Sequence, residues 1–156
     1  MKPIHILESK KVPFRLIPVE GRVITVQDVL AGAKEAIDPD SICKTIIVRE
    51  RERPVFFALF LPGRLRVDLK KVETMRKAKV TLASAPEVET VTGVPPGAVC
   101  PIGLSLPLYI DQKVMGKKII NMGSGDLHYG LEMALKDLLS VLKGYTTADV
   151  AKEDGK

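Results

Sequence analysis

The feature that most constrains this chain is a pair of apolar segments separated by a short charged turn. Residues 43–49 and 54–61 are rich in β-branched, aliphatic and aromatic side chains, and residues 50–53 between them are all charged. Strands joined by a connection of this length pair antiparallel. The sequence therefore predicts a central hairpin within a largely antiparallel or mixed sheet, rather than a regular βαβ array.

Further strands and helices are predicted on both sides of this hairpin. Strands are expected at residues 13–19, 80–82, 108–110 and 118–122. Helices are expected at residues 25–37, from Asp68 to about 77, from Ser84 to before 93, and from about 135 to 144. Residues 91–106 contain glycine and proline at a density that excludes regular structure, so a shaped loop is predicted there.

The length of the chain fits one domain. The 156 residues contain no internal repeat or linker, which predicts a single domain over residues 1–145 and a flexible tail over residues 146–156. The longest apolar run, residues 54–62, is too short to cross a bilayer, and residues 1–11 lack an apolar signal core. A cytoplasmic protein is expected, with Cys43 and Cys100 free and buried.

The charge of the chain leaves two interpretations open. A net charge of +5 and an isoelectric point near 9.2 favour an anionic partner. Acidic residues are interleaved with the basic clusters at residues 49–53 and 64–79, which is equally typical of a solvated, salt-bridged surface.

Lys44 and a glycine-rich loop are the features that could carry chemistry. Lys44 begins an apolar strand, and a lysine there either reaches solvent at the strand mouth or projects into a cleft to bind an anion. Backbone N–H groups of the loop at residues 93–103 could receive an anion or an oxyanion, although a rigid structural turn has the same composition.

Other chemistries find little support. His5 and His128 are the only imidazoles, and no G-x-S-x-G turn is present, so a hydrolytic triad is not indicated. Cys43 and Cys100 have no metal-ligand spacing with either histidine. We predict no metal and no cofactor.

Several segments together resemble, in order, the YbaK/prolyl-tRNA synthetase-associated domain family of tRNA editing modules. The matching segments are residues 25–36, the lysine strand at 42–46, the helix start at 66–71, Thr92 and Gly93, Gly97, residues 101–103 and 107–111, the glycine turn at 123–125, and residues 132–138. The resemblance covers about residues 13–142. It implies an α/β fold with a mixed, largely antiparallel, barrel-like central sheet and flanking helices.

The resemblance also implies an activity, which is hydrolysis of wrongly charged aminoacyl-tRNA, typically alanine or cysteine on proline tRNA. It makes Lys44 and Gly97 the expected catalytic residues. The expected substrate contacts are Thr45, Thr92, Gly93, Ala98, Pro101, Gly103, Gly123, Ser124 and His128, the last lying near where some members have a functional histidine.

The expected partners are mischarged tRNA and prolyl-tRNA synthetase. The alternatives are a non-catalytic module that binds tRNA or an aminoacyl adenylate, and a partner domain of a synthetase. The sequence does not indicate an oligomeric state.

Overall fold

The structure is a computed structural model that describes residues 1–19 and 37–154. The helices are α1 (Lys2–Ser9), α2 (Leu69–Arg76), α3 (Ala85–Thr92) and α4 (Leu135–Val141), with 3-10 helices at Pro39–Ser41 and Gln112–Val114. The strands are β1 (Arg15–Pro18), β2 (Cys43–Glu50), β3 (Phe56–Pro62), β4 (Arg66–Val67), β5 (Val80–Leu82), β6 (Leu108–Asp111), β7 (Ile119–Gly123), β8 (Tyr129–Ala134), β9 (Thr146–Ala148) and β10 (Ala151–Lys152). The helix predicted at residues 25–37 lies almost wholly outside the described residues and stays a prediction.

The strands form two main sheets. One has the order β5-β2-β3-β6-β9 and the other the order β1-β8-β7, while β10 pairs with β4. Pairing is parallel between β3 and β6 and between β6 and β9, and antiparallel in the other named pairs. The predicted mixed, largely antiparallel sheet with flanking helices is confirmed, whereas barrel-like closure stays a prediction.

Local signals in the sequence set the boundaries of two helices. The side chain of Asp68 accepts hydrogen bonds from the backbone N–H groups of Lys70 and Lys71 and begins α2. Ser84 and Glu87 form a reciprocal capping box that begins α3. These starts agree with the sequence-based predictions, as does the antiparallel hairpin of β2 and β3.

Alternation along β2 divides its side chains between two apolar cores. Cys43 and Ile47 point into the larger core together with Phe60 of β3. Val48 points into the smaller core, which also contains Leu59. Because apolar side chains cover both faces of β2 and β3, a charged side chain on this hairpin has to reach an edge or a cleft.

Ion pairs occupy much of the basic surface near the hairpin turn. Glu50 is only 5% exposed, and its carboxylate accepts hydrogen bonds from Arg53 at 2.9 Å and Arg76 at 3.3 Å. The hydrogen bond from Arg53 is the largest influence that holds the pKa of Glu50 below its ordinary value. Arg49 pairs with Glu87 at 2.5 Å. This part of the basic surface agrees with the salt-bridged interpretation of the charge.

The tail predicted to be flexible from residue 146 includes the residues that form β9 and β10. Asp111, which is fully buried, anchors this segment through its carboxylate. One carboxylate oxygen accepts a hydrogen bond from the backbone N–H of Val150 at 2.9 Å, and the other accepts one from the backbone N–H of Lys113 at 3.1 Å. The segment is ordered by these distant partners, which its own short polar sequence does not reveal.

We expect that Asp111→Asn lowers the free energy of unfolding by about 1 to 3 kcal/mol, because one buried N–H group loses its acceptor. Urea denaturation measures this change, and hydrogen exchange at residues 146–152 should increase. Glu89→Gln on the exposed side of α3 removes the same charge and serves as the control. An Asp111→Asn chain as stable as the parent would contradict the anchoring role.

Candidate functional site

Lys44 lies on the face of β2 that carries the smaller core. It pairs with Leu61 across the hairpin, and side chains of paired residues share a face. The side chain is half-buried, and burial lowers the pKa of its ammonium group below the ordinary value. The charge of Asp154 opposes this shift, and the charge of Arg66 adds to it. The ammonium group therefore lies within electrostatic range of a carboxylate and a guanidinium.

A parallel bridge to β7, just before β2 begins, determines which residues of β7 lie on the same face as Lys44. Ile42 bridges Asn121, so the two strands run side by side in the same direction at this point. Lys44 and Gly123 each lie two residues beyond the bridge. Because side chains alternate along a strand, both positions face the same side as the bridged pair. The geometry thus brings the predicted lysine and a predicted glycine to one surface.

The backbone of the glycine-rich loop covers Gly123. A Cβ atom at this position would lie 2.6 Å from the carbonyl oxygen of Val99 and 2.9 Å from the carbonyl carbon of Ala98. The N–H of Gly125 also donates to the carbonyl of Ala98 at 2.8 Å. Only a residue without a side chain permits this approach, so Gly123 holds the loop backbone against the face that carries Lys44.

Gly97, the other predicted catalytic residue, precedes this contact in the loop. It is exposed and has a φ of 92°, in the left-handed region that glycine adopts without strain. The N–H of the following Ala98 donates to the carbonyl of Pro95 at 3.1 Å, which closes a tight turn. The N–H of Ala98 is therefore used within the loop and is not available to an oxyanion.

Other predicted contact residues have structural roles or lie elsewhere. Thr45 faces the larger core, and its buried hydroxyl has no hydrogen-bond partner. The hydroxyl of Thr92 lies 2.7 Å from the carbonyl of Val88. Gly93 ends α3 in the left-handed region, with a φ of 83°.

Three further predicted contact residues, Pro101, Ser124 and His128, lie in the loop or in the turn between β7 and β8. Pro101 is buried in the loop. Ser124 is fully buried, and its hydroxyl donates to the carbonyl of Tyr129 at 2.7 Å. His128 is exposed on the turn before β8, and its backbone N–H donates to the Asp126 carboxylate.

A cavity of about 220 Å³ lies between the glycine-rich loop and α1. The lining residues are Met1, Lys2, Pro3, Val91, Thr92, Val94, Val99, Cys100, Ile102, Gly103, Leu104, Ser105 and Gly125. Thr92 and Gly103 belong to the predicted set, but Lys44 is not part of this lining. The loop contacts β7 at Gly123 through its backbone near Ala98 and Val99.

Sequence reasoning missed a polar network beside the Lys44 face. The side-chain N–H groups of Asn121 donate to the Ser41 hydroxyl at 2.7 Å and to the Glu132 carboxylate at 3.1 Å. Arg15 pairs with the same carboxylate at 2.9 Å. A groove of about 460 Å³ is lined in part by Asp38, Ser41, Asn121 and Glu132. The one available signal was an asparagine inside an apolar strand, since Asn121 is the only asparagine of the chain.

The described residues do not offer a metal site or a membrane span. Within residues 1–19 and 37–154, no group of three or more His, Cys, Asp or Glu side chains could hold a metal ion. In the same part of the chain, no helix is both long and apolar enough to cross a bilayer.

Comparison with known proteins places the chain in a family. Residues 21–141 match the aminoacyl-tRNA editing domain, so the chain belongs to that family. The resemblance noted from the sequence motifs is confirmed. The surface that carries Lys44 and Gly123 lies within the matched region, and so does the glycine-rich loop.

Similar proteins include synthetases and free-standing domains. Proline–tRNA ligases of Caldicellulosiruptor saccharolyticus and Caldicellulosiruptor bescii are each 29% identical over 119 residues, which is 76% of this chain but 20% of the ligase. The chain thus spans about a fifth of these relatives. The structure of the hypothetical protein APE2540 matches with a TM-score of 0.84 and 26% identity, covering 97% of this chain and all of the other.

A candidate trans-editing enzyme for prolyl-tRNA synthetase has the same fold. Its structure matches with a TM-score of 0.79, covering 97% of this chain and 96% of that protein. The identity is 20%, so this likeness concerns the fold.

We expect that Gly123→Ala displaces the loop, because the new Cβ would meet backbone atoms rather than a flexible side chain. The free energy of unfolding should fall by about 1 to 3 kcal/mol, as for other overpacked sites. Gly116→Ala is the matched control, since a Cβ there meets nothing within 4 Å. Equal stability of the two variants would contradict the close contact.

We expect both cysteines to react slowly with iodoacetamide at pH 8 in the folded protein. Burial raises the pKa of Cys43 and of Cys100 to about 12, so each thiol stays protonated and cannot act as a nucleophile. Mass spectrometry should find rapid labelling only after denaturation. Fast labelling of Cys100 in the folded chain would contradict this prediction.

Proposed function

We propose that the protein hydrolyses the ester of wrongly charged aminoacyl-tRNA, with the Lys44 face as the active site. The observation that carries the proposal is the parallel bridge of Ile42 with Asn121, which aligns Lys44 with Gly123, against which the loop backbone at residues 98–99 packs. Membership in the aminoacyl-tRNA editing domain family gives the reaction its class.

The chemistry requires little from the side chains. An aminoacyl ester is already activated, so hydrolysis mainly needs a positioned nucleophile and an electropositive environment for the developing oxyanion. Lys44 supplies a positive charge. Because its side chain is partly buried, water screens this charge less than at an exposed site. The turn at Gly97, which has no side chain, allows the substrate to approach the backbone closely. Water is the proposed nucleophile, and a cysteinyl substrate could use its own thiol.

The proposed substrate is alanyl- or cysteinyl-tRNA for proline. Support comes from the proline–tRNA ligases that the chain matches over 76% of its length. Small apolar pockets discriminate weakly, since one methylene is worth about 1 to 3 kcal/mol. A deacylation screen with alanyl-, cysteinyl- and seryl-tRNA therefore measures the preference directly.

We expect that Lys44→Met lowers kcat/KM for deacylation by about 100-fold or more, because the variant keeps the length of the side chain and removes its charge. The measurement is release of labelled amino acid from mischarged tRNA, with circular dichroism to establish that the variant is folded. Lys113→Met removes an exposed lysine and serves as the matched control.

Two outcomes would contradict the proposal. Deacylation at the parent rate by folded Lys44→Met would remove Lys44 from the mechanism. Salt-sensitive tRNA binding without turnover of any charged tRNA by the parent chain would instead indicate a non-catalytic binding module.

A further inference from the structure

Helix α1 packs on the glycine-rich loop and on the turn between β7 and β8. A Cβ atom on Gly103, at the end of the loop, would lie 2.8 Å from Cδ1 of Ile6 and 3.2 Å from Cε of Lys2. A Cβ atom on Gly125, in the turn, would lie 3.4 Å from Cδ of Pro3. Because both glycines lack a side chain, α1 approaches the backbone of the loop and of the turn closely.

The loop segment at residues 98–103 is therefore held by two elements. At one end of the segment, the carbonyl groups of Ala98 and Val99 lie against Gly123 of β7. At the other end, α1 covers Gly103. The turn that α1 contacts is also tied to this segment, because the N–H of Gly125 donates to the carbonyl of Ala98 at 2.8 Å.

Helix α1 is itself anchored in the larger core. Leu7 is fully buried there, and Ile4 is 8% exposed. A helix of eight residues is not stable alone in water, so these contacts determine where α1 lies. The core thus fixes α1, and α1 in turn determines where the end of the loop can lie.

The packing between α1 and the loop is incomplete. The cavity of about 220 Å³ lies at this interface, and Lys2, Pro3, Gly103 and Gly125 belong to its lining. Atoms that line a cavity lack packing partners on that side. The direct contacts of α1 with the loop therefore matter more to the position of the loop than equal contacts would in a filled core.

We propose that α1 is a clamp that positions the glycine-rich loop for the reaction, with Lys2 and Ile6 as its positioning residues. The inference rests on the proposed function, because it names what holds the loop that the substrate approaches. By fixing the loop at Gly103, the clamp sets the size of the space that the loop leaves for the aminoacyl side chain. A loosened loop admits side chains of different size more equally, so the clamp contributes to substrate discrimination.

The first test compares Lys2→Ala with Lys10→Ala. Both lysines are exposed, one at each end of α1, and each variant removes the same charge and the same apolar stem. The stem of Lys2 lies over Gly103, so Lys2→Ala should raise the hydrogen-exchange rates of the Leu104 and Gly125 amides about threefold or more. Lys10→Ala should leave these rates unchanged.

The same pair of variants is assayed for deacylation of alanyl-, cysteinyl- and seryl-tRNA. Lys2→Ala should lower the ratio of kcat/KM for the preferred substrate to that for the next one by about threefold, a small part of what one methylene can contribute. Lys10→Ala should keep the ratio of the parent chain. A change in overall stability alone would not alter this ratio.

A second pair of variants tests the apolar contact. Ile6→Ala and Leu139→Ala each remove three carbons from a side chain that is partly buried against the larger core, in α1 and α4 respectively. Both should lower stability, but Ile6→Ala should raise exchange at Leu104 and Gly125 about tenfold more than Leu139→Ala does. Ile6→Met keeps most of the apolar volume and should restore both the exchange rates and the substrate ratio.

Equal effects within either pair of variants would overturn the clamp. Faster exchange with an unchanged substrate ratio would overturn its role in discrimination. Hydrogen exchange does not require tRNA, so the two proposals can fail separately. A chain that shows the exchange effects but hydrolyses no charged tRNA would contradict the proposed function while supporting the contact of α1 with the loop.

Discussion

The bridge between Ile42 and Asn121 is the contact on which the architecture of the candidate site depends. It joins the three-stranded sheet to the five-stranded sheet immediately before β2 begins. Since a shift of one residue in this register would turn every side chain to the opposite face, the bridge decides that Lys44 and Gly123 share a surface. Without that alignment, a lysine and a glycine at these two positions would not contribute to one site.

The candidate site is built more from backbone than from side chains. Gly123 lets the loop carbonyls approach within a distance that no other residue would allow. The hydrogen bonds of nearby polar side chains, such as Ser124 and Asn121, hold the strands and turns in place. Electrostatics at the site therefore depend on the few full charges around Lys44.

Local sequence signals predicted local structure well. Asp68 and Ser84 cap helices through contacts within three residues, and the hairpin turn joins strands that are adjacent in the chain. The C-terminal strands and α1 were not predicted, because they are held by distant partners. Leu7 of α1, for example, is fully buried in the larger core. A short segment whose order comes from such contacts has no periodicity long enough to reveal it.

The candidate site was also predictable from the sequence only in part. A lysine at the start of an apolar strand is visible in the sequence, and Lys44 was singled out for that reason. The network of Asn121 with Glu132 depends on cross-strand register between β7 and β8, which a single sequence does not specify.

The anchoring of the C-terminal segment by Asp111 also has a kinetic consequence. One edge of β6 has no partner until residues 146–148 pair with it, so that edge stays open to pairing with other chains until the C-terminal segment folds.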